Sequence, residues 1–339
     1  EAIPIHRKAE FVTQPNEQPG SYLADAVAGF FDNGGIRCYV VLADPSQDRE
    51  AALKNAIEAL GPLSDLDLVS APDAMTLQLQ NGQFDSGAAL RVQAAMLTHC
   101  ARHGNRLAIL DALPESDTEA VLAQRQAIVV GQTEPVNGAL YYPWLKTEAG
   151  RLIPPGGHVA GIVARTDARV GVFKAPANEE VFGVLDLETG IDNLIQDDLN
   201  PEGVNCFRAF PGRGIRVWGA RTLSRDPNWR YVNVRRLFLT LERWIDRNMI
   251  WATFESSDQR LWVRVQRELS AYLTQLWRAG ALQGQTPEEA FYVKCDVETN
   301  PPEVREVGQL ITEVGMAPLS PAEFVIVRII HRADGTENV

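Results

Sequence analysis

The 339-residue chain carries few of the marks that announce a chemistry. Its four cysteines, Cys38, Cys100, Cys206 and Cys295, lie far apart with no C-x-x-C spacing. Each sits in or beside an apolar run, a pattern of buried free thiols made in a reducing compartment rather than of a disulfide framework. No apolar run approaches the roughly 18 residues of a membrane span, and no secretory, stop-transfer or lipidation signal is recognisable. Export by an N-terminal route is therefore not expected, although the opening "EAIPIHRKAEF" has no initiator Met and leaves room for a preceding portion. The phosphate-binding loop G-x-x-x-x-G-K-[ST] and the nucleophile turn G-x-S-x-G are both missing. A basic excess is missing too: 32 Lys and Arg against 44 Asp and Glu leave a formal charge of -12, which argues against a general nucleic-acid or anionic-membrane binder.

What is present is the composition of an ordinary folded protein, 45% hydrophobic and 22% charged, long enough for two or three domains. The charge is uneven. Between Cys206 and Gly280 stand 14 arginines and 6 acidic residues, leaving 18 basic and 38 acidic residues elsewhere. This basic island is either a set of scattered solvated arginines or a face awaiting an acidic partner.

Residues 21–145 alternate strand and helix signals. "IRCYVVLA" (36–43) follows the turn Asn33-Gly34-Gly35 as a continuous apolar run, which suits a strand buried on both faces. "DREAALKNAIEAL" and "SGAALRVQAAMLTHCARHG" read as helices, and "RLAILDAL" as a second buried strand. That is α/β organisation, one sheet covered by helices. From about Pro154 the Gly- and Pro-rich "PPGGHVAGIVARTDARVGVFKAPANEEVFGVLDLE" predicts loops and short strands, with a domain boundary at 143–156.

Two long helices follow. The first carries the stripe Val234, Leu237, Phe238, Leu241 and Ile245, which places Arg235, Arg236, Glu242, Arg243, Asp246 and Arg247 on other faces. The second starts after Asp258 as N-cap and carries Leu261, Val265, Leu269, Leu273 and Leu276 to a stop at Gly280. "TPEEAF" predicts a short helix with a capping box of Thr286 and Glu289. "FYVKCDVET" alternates as a half-buried strand, and "GQLITEVGM" and "AEFVIVRIIHR" add two more.

Candidate chemistries are weak. Gly212 and Gly214 in "GRGIRVWG" fall short of a dinucleotide fingerprint, because the third glycine comes late and a strand follows. His99 and His103 stand one helical turn apart, a zinc-compatible spacing without a third ligand in view. His158 could be imagined as a general base, and Glu255 with Asp258 as a carboxylate pair, although a helix cap explains Asp258 more simply. The tryptophans among the arginines, Trp218, Trp229, Trp244, Trp262 and Trp277, suit base stacking or a protein contact; net charge favours the protein contact. No cofactor, metal or catalytic residue is assigned.

Several stretches then match one pattern in order: "SYLADAVAGFFDNGGIRCYVV", "YYPWL", "PPGGHVAGIVARTDARVGVFKAPAN", "LNPEGVNCFRAFPGRGIRVWGARTLS", "WRYVNVRRLF", "FYVKCD" and "PAEFVIVRI". Together they resemble the tail sheath protein of contractile phage tails and related injection systems, from about Ser21 to Arg332. The resemblance implies a mixed α/β and α+β fold with an outer α/β domain (21–150) and a C-terminal domain (151–332). The C-terminal domain would hold two long helices and a sheet completed by the terminal strand, with an irregular start (1–20) and a tail (333–339). It implies a structural, non-enzymatic subunit stacking as six-membered rings into a helical sleeve that shortens around an inner tube. The partners would be other copies, the tube protein, and baseplate and terminator proteins, with neither nucleic acid nor membrane insertion. The sleeve would be built in a bacterial cytoplasm as part of a virion tail or tail-like particle.

Family subunits link through terminal arms that add strands to a neighbour's sheet. Here the N-terminal arm pattern is not matched. At the other end Phe324, Val325, Ile326, Val327, Arg328 and Ile329 form an apolar strand that needs pairing, either between copies or within its own domain. Arg243, Arg247, Arg264, Arg267 and Arg278 are candidates for facing an acidic tube. An α/β enzyme with an unrecognised site, or an adaptor that does not polymerise, are the rival expectations.

Overall fold

The computed structural model of the chain describes residues 2–11, 20–321, 323, 329–332 and 335–338. In chain order the strands are β1 (Ile3–Ile5), β2 (Cys38–Val40), β3 (Leu68–Val69), β4 (Leu107–Asp111), β5 (Gly138–Tyr142), β6 (Leu145–Lys146), β7 (Leu152–Ile153), β8 (Glu179–Glu180), β9 (Asp186–Leu187), β10 (Val204–Phe210), β11 (Gly214–Trp218), β12 (Phe291–Lys294), β13 (Glu313–Met316), β14 (Ile329–Arg332) and β15 (Gly335–Asn338). The helices are α1 (Lys8–Phe11), α2 (Leu23–Asp32), α3 (Arg49–Glu58), α4 (Ser86–His103), α5 (Thr118–Val129), α6 (Gly156–Arg169), α7 (Asn193–Leu199), α8 (Val232–Asn248), α9 (Gln259–Arg278), α10 (Pro287–Ala290) and α11 (Pro302–Glu306). The fold is mixed α/β, as expected.

Its centre is a six-stranded sheet in the order β3-β4-β5-β10-β11-β8. The first four strands run parallel, while β11 and β8 join antiparallel. Alternate residues of each central strand enter opposite cores. Ala108, Leu110, Leu140 and Tyr142 pack with Val92 and Met96 of α4 and Val121 of α5. Leu107, Ile109, Ala139 and Tyr141 pack with Val159 and Ile162 of α6 and Leu239 of α8. Burial on both faces is why "RLAILDAL" is apolar at almost every position. Asp48, Asp85, Asp117, Asp192 and Asp258 each cap a helix by accepting a first-turn backbone N–H.

Three expectations are corrected. The 36–43 run supplies β2, but β2 pairs antiparallel with β1 outside the main sheet, and Ile36 is 82% exposed. It belongs to a small satellite core with Ile5, Phe11 and Val27, and is not buried on both faces. The 1–20 region is accordingly not irregular throughout, since it supplies β1 and α1. Finally, the Gly-rich stretch after Pro154 opens with the 14-residue helix α6. A Cβ on Gly157 would lie 2.2 Å from the Ala26 carbonyl oxygen, and one on Gly161 2.3 Å from that of Phe30. These glycines mark the contact of α6 with α2, where the two backbones nearly touch, rather than a break in the helix.

The main sheet also crosses the boundary expected at 143–156, because β10 and β11 join β5. A second layer forms from α9 over the antiparallel pair β12–β13, where Val265, Leu269 and Leu273 pack with Phe291, Val293, Cys295 and Met316. The short helix α10 forms without its full capping box. The Thr286 side chain makes no cap bond, and Glu289 accepts from the Gln285 N–H at 2.8 Å instead.

Where β4 meets α6, Asp111 is 2% exposed and accepts the Gly156 N–H at 2.7 Å. Burial pushes its carboxyl from 3.8 up to about 7, with the Gly156 bond pulling partly back. Between about pH 4 and about 7 the folded chain thus keeps a proton that the unfolded chain has lost. Stability is fully present below that window and falls as pH rises through it. Asp111→Asn keeps an acceptor for Gly156 and removes the titration. It is expected to flatten the pH dependence and to stabilise the chain at pH 8 by up to ~4 kcal/mol, at about 1.4 kcal/mol per pKa unit. Urea midpoints of both forms across the window are the check.

Candidate subunit-contact surfaces

Three regions bear on the expected contacts with other chains: the terminal segment, the small β12–β13 sheet and the exposed face of α9. Of the terminal strand, Phe324, Val325, Ile326, Val327 and Arg328 lie outside the described residues. Ile329 opens β14, which pairs antiparallel with β15 in the register Ile329↔Asn338 to Arg332↔Gly335. The expected tail at 333–339 therefore contains a strand.

The β12–β13 pair has only two strands among the described residues, and α9 covers one face. Its outer edges carry backbone donors and acceptors that an incoming strand would satisfy.

The basic island divides in a way that the helical stripe did not show. Arg235, Arg236 and Arg243 of α8 are all buried, at 7%, 4% and 8% exposure. Arg235 donates to Asn137 Oδ1 at 2.6 Å and lies over the Trp229 ring. Arg236 forks onto both carboxylate oxygens of Asp167 at 2.8 and 2.6 Å. Arg243 pairs with Asp67 and donates to the Leu66 carbonyl at 3.2 Å, so it is committed within its own fold and is withdrawn as a tube-facing candidate. The reason is geometric: α8 lies against both the main sheet and the loop before β3, so faces that one stripe leaves polar are covered as well. Arg247 is exposed and donates to the Ser64 carbonyl at 2.9 Å. Arg264, Arg267 and Arg278 are exposed along α9. Arg264 sits 3.6 Å over the Trp251 ring centroid and pairs with Glu268.

The other singled-out residues are structural. Gly212 and Gly214, both at positive φ, turn the β10–β11 hairpin, which accounts for the spacing that resembled a phosphate loop. His99 is fully buried, with Nε2 3.1 Å from Arg106, and its ring lies 4.5 Å from that of His103. His158 packs into α2 at Gly29, and burial lowers it to about 4. Asp258 caps α9 through the Arg260 and Leu261 N–H groups at 2.9 and 3.1 Å, while Glu255 stays exposed.

One site has no local signal in the sequence. Glu323, directly before the run Phe324 to Ile329, accepts from Arg221 Nε at 2.9 and 3.2 Å and also pairs with Arg221 Nη2. The Tyr231 hydroxyl donates to it at 3.2 Å and Asn200 Nδ2 at 3.5 Å. Burial alone would raise Glu323, but Arg221 outweighs it and holds the carboxyl below the usual range. The partners stand about a hundred residues apart, so no spacing rule would join them.

Residues 73–223 match the model of the phage tail sheath protein central domain, and residues 224–332 that of the phage tail sheath C-terminal domain. The chain belongs to the phage tail sheath family. Sheath relatives extend over nearly all of it. A chain of the extracellular contractile injection system PVC, solved as the contracted sheath complex, is 32% identical with a TM-score of 0.79, covering 98% of this chain and 87% of that one. A chain of the contracted helical sheath of the anti-feeding prophage is 30% identical with a TM-score of 0.81, covering 98% and 88%. Among curated sheath relatives, the tail sheath protein of Vibrio phage KVP40 is 26% identical over 231 residues. The putative prophage major tail sheath protein of Pseudomonas aeruginosa is 27% identical over 224 residues. Those matches cover 67% and 64% of this chain but only 31% and 55% of the curated relatives. The two sheath domain models meet at 223/224, in the loop between the main sheet and α8.

Proposed function

We propose that the chain is the subunit of a contractile sheath, polymerising as stacked six-membered rings around an inner tube and shortening to drive that tube through a target envelope. The observation that carries this is the likeness to contracted sheaths over 98% of the chain at 30–32% identity. The role is structural rather than enzymatic. Its partners are other copies, the tube protein, and baseplate and terminator proteins, within a phage tail or tail-like particle assembled in the bacterial cytoplasm.

Head-to-tail contacts that do not close into a ring of fixed size build open helices, so each subunit needs two complementary patches. The terminal strand from Phe324 to Ile329 and the open edges of β12–β13 form such a pair, joined by backbone hydrogen bonds between copies. Contraction is then rigid-body rotation of intact subunits about these strand links. A difference of about 1–3 kcal/mol per subunit between two packings is enough when summed over a long sleeve. The exposed guanidinium groups of Arg247, Arg264, Arg267 and Arg278 face the tube. Charged contacts across a wet interface set register and break readily, as a sliding tube requires.

Electron microscopy of the chain mixed with its tube protein tests the proposal. Striated cylinders are expected, and discrete particles with tube present would refute it. Reversing Arg264, Arg267 and Arg278 to Glu is expected to abolish co-assembly with tube at low salt while leaving the melting temperature within a few degrees. Unchanged co-assembly would remove these residues from the tube contact.

A further inference from the structure

Residues 317–321 lead away from the α9 and β12–β13 layer, Glu323 stands beside the six-stranded sheet, and several polar groups between the two are held. The Ala317 N–H donates to the Ala290 carbonyl at 2.9 Å, and its own carbonyl accepts from the Gln283 N–H at 2.7 Å. The Pro318 carbonyl accepts from Gln283 Nε2 at 2.8 Å, and the Leu319 carbonyl from Asn233 Nδ2 at 3.1 Å. The Glu323 side chain is 15% exposed where it meets Arg221 at 9%. Arg221 is itself tied to the sheet, because its N–H donates to Asn205 Oδ1 of β10 at 2.6 Å and it forms a β-bridge with Tyr231. In the sequence, the run proposed as the linking strand begins at the next residue.

We propose that Glu323, held by Arg221, Tyr231 and Asn200, is the point at which tension in the terminal strand enters the six-stranded sheet. A pull on that strand reaches this clamp before it reaches Leu319, Pro318 or the β12–β13 layer. The small acceptor sheet, which must keep its own edges in register for a neighbour's strand, is thereby spared the load of its own chain's link. A two-pronged, charge-assisted contact with little solvent access suits the task, since it is directional and weakly screened by salt. Glu323 is thus a positioning residue for assembly, and this role rests on the sheath function proposed above.

Full-length variants test it with tube protein present. Glu323→Gln keeps the shape and an acceptor for Tyr231 but loses the charge. It is expected to raise hydrogen exchange in residues 317–323 at least tenfold, to leave exchange in β4 and β5 unchanged, and to cut sleeve yield at least tenfold. Restoring the pair in reverse, with Glu323→Arg and Arg221→Glu together, is expected to recover both readouts; a merely destabilised fold is told apart by exchange in β4 and β5, which it would raise as well. Ile326→Pro, which removes a donor from the terminal strand itself, serves as the reference and is expected to abolish sleeves. If Ile326→Pro abolishes sleeves while Glu323→Gln assembles like the parent, the clamp role is overturned and the strand link stands. If Ile326→Pro also assembles normally, the strand link and the clamp fall together.

Discussion

Replacing Asp167 with alanine is expected to destabilise the fold by about 3–5 kcal/mol, the cost of leaving a buried charge without its partner. Arg236 is 4% exposed at the contact of α8 with α6, and Asp167 takes both prongs of its guanidinium. Burial opposes the Arg236 charge, yet the Asp167 carboxylate more than offsets it and holds the group above its ordinary pKa. A guanidinium does not give up its proton inside a protein, so in the variant the charge stays in place without its partner. Arg236→Met combined with Asp167→Leu is expected to recover most of the loss, because paired apolar groups of similar volume need no such partner. Denaturant midpoints of the single and double variants decide the matter. A single variant as stable as the parent would show that water reaches Arg236 freely.

Gly157→Val is expected to be the next most damaging change. The new Cβ would meet the Ala26 carbonyl oxygen at 2.2 Å and Ala26 Cα at 2.4 Å, both backbone atoms of α2 that cannot rotate aside. Overpacking of this kind costs about 1–3 kcal/mol or more, and the cost falls on the packing of α6 against α2. Even Gly157→Ala should lose stability, although alanine favours a helix by about 1 kcal/mol over glycine. Gly190 is the control, with nothing within 4 Å of an added Cβ. Gly190→Ala is expected to stay within about 0.5 kcal/mol of the parent. Thermal or denaturant unfolding of the three variants is the check, and equal stability of the Gly157 variants would mean that α2 and α6 do not touch through their backbones.

The same glycines explain why α6 was illegible. Local rules treat Gly-Gly after Pro-Pro as a turn, and composition cannot distinguish a glycine that breaks a helix from one that lets two helices touch. By contrast α3, α4 and α9 were legible to within a residue or two, because an aspartate at the start and apolar residues at helical spacing are both local. The strand at 38–40 was legible as a strand but not as to its sheet, since an apolar run states that a segment is covered and not by what. The arginines of α8 went the same way. Their pattern marks a second, polar face, and only the loop carrying Asp67 and the helix carrying Asp167 turn that face inward.

Order along the chain thus sufficed for the kind of molecule this is: a mixed α/β sheath subunit without a recognisable catalytic motif, with an apolar run near its end that asks for a partner. Those features live in short-range spacing and in blocks that keep their succession. Folding in three dimensions chose which arginines are spent internally and which remain exposed on α9, and it joined Glu323 to Arg221 across about a hundred residues. Burial and charge pairing act through space between segments, and neither leaves a periodic trace along either segment alone.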